Sequence, residues 1–371
     1  MKKIVSLIAA LALVLLSCTA FAETEAFDAY ARPKVVEAPK VAMLIRSADS
    51  ESQLRSRQQG EIECAHRGWE FLPIVYEMDT NFRDAFQNAM NQGVDAIIIN
   101  STESLESRLD LIESARNAGV GIYCNDVMVV DGVIMNSTMP NGVAAMELLY
   151  RIGEDYGWKL NMCTVDYNAQ QITVERNEGV KAFAQSAGCY PDFTYLASDD
   201  PMVGPNAGIQ AAYDIAQAWL QQYGEDVNFF WSCADIVGIP VAEAISQNGD
   251  PTGEKAFTCG FDGGLQAWSY IRNNTPFKYS YAQPFELYVH KVFEAINDIQ
   301  VKGINPGDEG CCLSFCGETL YSTGGIVTQA NCPAVGTNIH EIFDYYNPDD
   351  TEAWYTWTDG PGPYMVEEYA G

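Results

Sequence analysis

Histidine and positive charge are what this sequence has least of. Three histidines, His66, His290 and His340, occur in 371 residues, and none has a partner at the spacing of a catalytic dyad or a metal pair. No Gly-x-Ser-x-Gly elbow, Walker loop, Gly-x-Gly-x-x-Gly turn or His-Glu-x-x-His helix occurs, which removes the commonest hydrolase, nucleotide-binding and zinc-protease chemistries. The adjacent acids Asp199 and Asp200 read as solvent-facing loop residues rather than a hydrolytic pair. Lys and Arg number 21 against 50 Asp and Glu, a formal charge of −29. Phosphate binding needs clustered basic residues, so nucleic acid is excluded as a partner, and the acidity reads as solubility of an exported chain. Beyond the first residues no apolar run reaches the length of a membrane span. No cofactor and no metal site are expected, and the sequence favours binding over catalysis.

The N-terminus has the layout of an export signal, residues 1–22. Lys2 and Lys3 precede an apolar stretch, and Ala20-Phe21-Ala22 offers a small-residue cleavage site. Leu15-Leu16-Ser17-Cys18 also resembles a bacterial lipoprotein box with Cys18 as the acylated residue; cleavage after Ala22 is favoured, because Leu occupies a position where smaller residues are usual. Both readings place the protein outside the cytoplasm, periplasmic or held at the cell envelope. Ten cysteines remain beyond the signal. Cys124, Cys163, Cys233 and Cys259 fall in strand-like runs as small apolar residues. Cys311, Cys312, Cys316 and Cys332 cluster in a Gly-rich region and are expected as structural thiols or disulfides.

One local pattern recurs. Apolar strand-like runs end in small polar clusters, most followed by a helix-like stretch. Residues 41–45 lead to Ser47 and Asp49, 96–99 to Asn100, and 121–124 to Asn125 and Asp126; later, 160–165 lead to Asp166, 227–231 to Ser232 and Asp235, and 256–261 to Asp262. In open parallel sheets ligands bind outside the carboxyl ends of strands. Three such ends in each half therefore predict two α/β lobes facing one cleft. The clearest helix, 105–118, places Leu105, Leu109, Ile112, Ala115 and Ala118 on one face. A later helix is predicted to open at Pro240. Residues 23–40 read as a linker; 41–136 with 283–323 form the N-terminal lobe and 137–282 with 324–332 the C-terminal lobe. Residues 333–371, rich in Asp, Pro, Gly and aromatics, match neither helix nor strand period and read as an irregular C-terminal extension, a packed strap without calcium-loop spacing.

The order of elements resembles the sugar-binding periplasmic proteins of ATP-driven (ABC) importers, of the ribose and galactose type. The strings that carry it are Gln92-Gly93-Val94-Asp95 with Ala96 to Asn100, Ala118-Gly119-Val120 through Asn125-Asp126, Glu175-Arg176-Asn177-Glu178-Gly179, and Gly260-Phe261-Asp262-Gly263 followed by Tyr281-Ala282-Gln283-Pro284. The resemblance implies two Rossmann-like lobes with parallel sheets joined by three crossings, near residues 136–138, 282–284 and 322–325, and capture of a sugar or similar polar solute by lobe closure. It implies permease subunits as partners; presentation of the solute to a chemoreceptor or sensor kinase is the alternative. By position it implies Asp126 with neighbouring Asn125, Arg176, Asp262 and Gln283 as ligand contacts, with Ser47 and Asp49 at the first strand end and Asp235 where relatives carry a nearby asparagine. Planar carboxylates, amides and guanidinium groups suit sugar hydroxyls, which both donate and accept. Asp262 could equally cap a turn, and Arg176 pair with Glu175 or Glu178. Relatives place sugar-stacking aromatics where this chain has Ser50-Glu51-Ser52-Gln53, so any ring face would need Tyr167, Trp231 or Trp268, and a modified sugar or cyclitol is open beside a simple hexose or pentose. A transcriptional repressor core shares the architecture, but the export signal and charge oppose it.

Overall fold

A computed structural model of the chain describes residues 32–47, 50–77, 81–100, 104–204 and 207–369. Asp49, Cys18, the export signal and the first part of the linker lie outside the described residues. The chain forms two six-stranded sheets. In the first, β1 (Lys40–Ile45), β2 (Glu70–Val75), β3 (Ala96–Asn100), β4 (Gly121–Asn125) and β5 (Met135–Thr138) are all parallel, in the order β2-β1-β3-β4-β5. The second repeats this order with β6 (Asn161–Val165), β7 (Thr194–Asp199), β8 (Phe229–Ser232), β9 (Phe257–Asp262) and β10 (Phe277–Ala282), as β7-β6-β8-β9-β10. Each sheet gains an edge strand late in the chain: β11 (Glu318–Tyr321) joins β5 in parallel, and β12 (Gly325–Val327) joins β10 antiparallel.

These strands are continuous apolar runs because helices cover both faces of each sheet. Ala96-Ile97-Ile98-Ile99-Asn100 and Gly121 to Asn125 are buried throughout. The covering helices of the first lobe are α1 (Glu51–Arg67), α2 (Phe82–Asn91) and α3 (Leu109–Asn117). The second lobe has α4 (Asn141–Asp155), α5 (Gln171–Ser186), α6 (Ala211–Tyr223), α7 (Asp235–Gln247) and α8 (Leu265–Arg272). Helix α9 (Phe285–Ile296) then returns to the first lobe, its Val289, Val292 and Phe293 buried against β1, β3 and β4 residues.

Two helices depart from the sequence reading. Residues 106–108 form a 3-10 turn before α3, and three residues per turn shift the phase, so Leu109 is 45% exposed while Leu105, Ile112 and Ala115 stay buried. Helix α7 starts at Asp235 and runs through Pro240. The carbonyl that Pro240 leaves without an intrahelical donor belongs to Ile236 in the first turn, whose side chain is exposed. Gly238 lets this helix lie directly on the Cys259 carbonyl of β9.

The chain crosses between lobes at residues 139–140, 283–284 and 322–324. Strand β5 stays paired to β11 as far as Thr138, and the first crossing follows it. All ten described cysteines, including Cys311, Cys312, Cys316 and Cys332, are free thiols, so the disulfides considered for that cluster are not formed. Residues 333–369 contain two short 3-10 turns, 339–342 and 354–356, and pack on α7, α8, β12 and the end of β10.

Candidate functional site

A cleft of about 420 Å³ lies between the lobes, at the carboxyl ends of both sheets. Both strand orders reverse beside their first strand, β1 and β6, and such switch points are where parallel sheets open a crevice. The loop after β1 supplies Arg46, Ser47 and Ser50, the first turn of α1 Ser52 and Gln53, the segment after β2 Glu77, and the residue after β4 Asp126. Facing them are Tyr167 after β6, Gln170, Ile172, Thr173 and Arg176 at the start of α5, Ala234 and Ile236 after β8, and Asp262 at the tip of β9. Gln283 and Phe285, at the second crossing, close the back.

Arg176 organises the floor. Its side chain is 1% exposed, projecting from the first turns of α5 on the same face as Ile172 and Thr173. Nε donates to Asn141 Oδ1 at 2.9 Å and Nη1 to the Cys233 carbonyl at 2.9 Å. Nη1 also lies 3.8 Å from Asp262 Oδ1, and the guanidinium carbon sits 4.7 Å above the Phe261 ring. Nη2 is buried with no hydrogen-bond partner among the described residues. A buried charged donor without a partner is costly, and such atoms call for a functional explanation.

Two carboxylates converge on this cation from opposite lobes. Asp126 holds a left-handed backbone (φ 57°), which Asp tolerates better than most residues, and Oδ1 accepts from Thr138 Oγ1 at 2.6 Å. Burial pushes its carboxyl up, opposed by Arg176 and then by the Thr138 hydrogen bond. Asp262 also has positive φ (111°) and pairs in register with Ala282, which brings Gln283 beside it. Gln283 Nε2 donates to Asp262 Oδ1 at 2.6 Å, and Gln283 N–H donates to the Asp262 carbonyl at 3.2 Å. Burial raises Asp262 to about 6 despite the opposing pull of Arg176 and Gln283. Its side chain retains 28% exposure, directed to the cleft.

Five of the residues named from sequence thus meet in one cavity: Ser47, Asp126, Arg176, Asp262 and Gln283. Asn125 and Asp235 do not. Asn125 is fully buried beneath the cleft; its Nδ2 donates to Asn100 Oδ1, and Asn100 Nδ2 in turn donates to Gln53 Oε1 at 2.9 Å. It therefore steadies Gln53, which does line the cavity. Asp235 accepts from Ser280 Oγ at 2.8 Å through Oδ1 and from Gly264 N–H at 3.0 Å through Oδ2. Both oxygens tie β10 and the entry to α8 together, and burial with the nearby Asp262 charge holds the carboxyl well above the usual range. Of the aromatic candidates only Tyr167 reaches the cleft. Trp231 is buried with its indole N–H 3.3 Å from Asn177 Oδ1, and Trp268 is buried against α7 and the C-terminal segment. Phe285 supplies an apolar face that the sequence reading missed. Among the described residues no cluster of His, Cys, Asp or Glu could hold a metal ion.

Solved structures share this architecture. An ABC sugar transporter subunit from Rhodobacter sphaeroides 2.4.1 is 20% identical over 80% of this chain and 99% of its own, with a TM-score of 0.63. An arabinose-binding protein from Geobacillus stearothermophilus is 14% identical over 80% of this chain and 98% of its own, at 0.66. An ABC transporter periplasmic solute-binding protein from Actinobacillus succinogenes 130z, with bound D-allose, is 19% identical over 79% of this chain and 98% of its own, also at 0.66. No curated protein sequence matches significantly. The family profile of the periplasmic binding protein domain matches residues 77–299, more than half the chain, and the protein belongs to that family.

Proposed function

We propose that this protein captures an uncharged or weakly charged sugar-like solute between its lobes and delivers it to an ABC importer, binding without turnover. The single observation that carries the reading is Arg176 Nη2, a buried cationic donor without a partner among the described residues, on a guanidinium that interacts with both Asp126 and Asp262 and lines the interlobe cavity. Two carboxylates accept and one guanidinium donates, the complement of adjacent hydroxyls on a polyol. Gln53, Gln170, Ser47 and Thr173 add neutral polar groups, and Tyr167 and Phe285 offer faces for an apolar ring surface. Closure around the solute excludes water, which strengthens these bonds and penalises a solute that leaves one unmade. Family membership supports a place outside the cytoplasm, and among the described residues no helix is long and apolar enough to cross a membrane. The bound D-allose and the arabinose and sugar-transporter descriptions of the structural relatives support a monosaccharide as the first class to test.

The experiment is a thermal-shift screen of the purified protein against pentoses, hexoses, cyclitols, sugar acids and nucleosides. A ligand that binds only the folded state raises the melting temperature with concentration. A rise with one or a few neutral sugars or cyclitols is expected, without loss of the sugar on incubation. No rise across the neutral panel, or conversion of the sugar, contradicts the reading.

A further inference from the structure

The C-terminal segment, residues 333–369, fastens to both lobes. Its attachment to the second lobe is apolar: Ile339, Phe343, Tyr364 and Val366 are buried in one cluster with Trp268 and Ile271 of α8 and Val327 of β12. Its attachment to the first lobe is aromatic and polar. Trp357 stacks on His66 of α1 with ring centroids 3.6 Å apart, and Trp354 stacks on His290 of α9 at 4.6 Å. Asp359 Oδ2 lies 2.9 Å from His66 Nδ1, and Gln58 Nε2 donates to the Gly362 carbonyl at 2.9 Å.

Tyr364, part of the apolar attachment, also reaches the first lobe. Its hydroxyl donates to Glu51 Oε1 at 3.3 Å, and its ring centroid is 5.9 Å from the Arg55 guanidinium. Both partners leave α1 of the first lobe and bind backbone beyond it. Both Glu51 oxygens lie 2.8 Å from the Leu265 N–H at the start of α8, where a carboxylate is favoured by the free amides of the helix. Arg55 donates to the carbonyls of Asp262 at 3.3 Å and Gln283 at 3.1 Å, while Glu286 grips its other edge at 2.7 and 2.8 Å.

We propose that this segment is a fourth, non-covalent connection between the lobes, a strap that through Tyr364 keeps Glu51 and Arg55 on the second lobe and limits how far the cleft opens. The three covalent crossings are two or three residues each and can act as hinges. Its anchors on His66 and His290 belong to the first lobe and that on Trp268 and Ile271 to the second, so one of them must yield before the lobes part fully. Tyr364, Glu51 and Arg55 are positioning residues: Arg55 holds the backbone of Asp262 and Gln283 without lining the cleft itself. By narrowing the ligand-free ensemble, the strap raises the fraction of molecules competent to bind. Only this effect on affinity rests on the proposed capture function.

The test uses the full chain without ligand, read by small-angle scattering and by hydrogen exchange at amides 263–268. Trp354→Ala with Trp357→Ala removes the aromatic part of the first-lobe anchor and leaves the apolar anchor in place. Tyr364→Phe removes a single hydroxyl and keeps the ring. The double variant is expected to show a larger radius of gyration than wild type at unchanged circular dichroism, and both variants faster exchange at 263–268. Wild-type scattering and wild-type exchange in the folded double variant overturn the proposal. If the double variant loses its fold, Tyr364→Phe decides: exchange at 263–268 equal to wild type overturns it, and faster exchange there with the remaining sheets protected supports it. Because no solute is added, this result and that of the sugar screen stand or fall separately.

Discussion

Replacing Asp262 by Asn separates the two effects of a buried carboxylate in this cleft. Burial raises its pKa from 3.8 to about 6 in the ligand-free protein. The folded state therefore binds the proton more tightly than the unfolded chain, and stability is lost as pH rises through the window from about 4 to about 6. Asn carries no charge, tolerates positive φ, and keeps an oxygen to accept from Gln283. The ligand-free variant is expected to melt above wild type at pH 7, with the difference closing toward pH 4. Binding moves the opposite way. Solute hydroxyls donating to the carboxylate favour its ionised form, so wild-type affinity is level above about pH 6 and falls below it. At pH 5 only about a tenth of the groups are ionised, which weakens binding by up to roughly tenfold. A hydrogen bond to a charged group contributes about 1.5–3 kcal/mol, so Asp262→Asn is expected to bind roughly ten- to a hundredfold more weakly at pH 7 and to lose the acid dependence. Thermal melts and calorimetric titrations from pH 4.5 to 8, using the strongest sugar from the screen, measure both. Wild-type affinity and pH profile in the variant, or a lower melting temperature at pH 7, refute the reasoning.

Arg176→Met removes the unpartnered donor while keeping an apolar chain of similar length over Phe261; binding is expected to weaken at least about tenfold by titration, with the far-ultraviolet spectrum unchanged. Arg55→Met and Glu286→Gln each strand one member of an ion pair that is 1–2% exposed. Each is expected to cost about 3–5 kcal/mol in denaturant unfolding, and the double variant to cost less than the sum of the two. Gly324→Ala would drive a methyl group into the Ala282 carbonyl and the Tyr281 ring at the third crossing, lowering stability by about 1–3 kcal/mol, whereas Gly188→Ala meets open space and is expected to leave the melting temperature unchanged.

The two lobes were legible because their strands are apolar runs cut off by polar tips. Ala96–Asn100 and Gly121–Asn125 announce strand, direction and cleft together, and Asp126, Asp262 and Arg176 sit where those tips and the following helix point. Asp235 misled for a physical reason. It follows β8 like the other strand-end acids, but Ser280 and Gly264 reach both its oxygens from elements later in the chain. Arg55 and Gln53 were missed although α1 carried a signal. Gln53, Arg55, Ser56, Gln59 and Glu63 form a buried polar face on a helix with little apolar stripe, the mark of a helix that binds backbone and side chains across an interface. The tail could not be read by periodicity, because its order comes from Trp354 and Trp357 stacking on histidines more than 60 residues away.

Hydrogen exchange with and without a saturating sugar from the screen tests most directly that one solute is held between the two lobes. Slower exchange is expected together at 124–127 of the first lobe and at 171–176 and 261–264 of the second. Protection confined to one lobe, or lying away from these strand tips, would contradict the account.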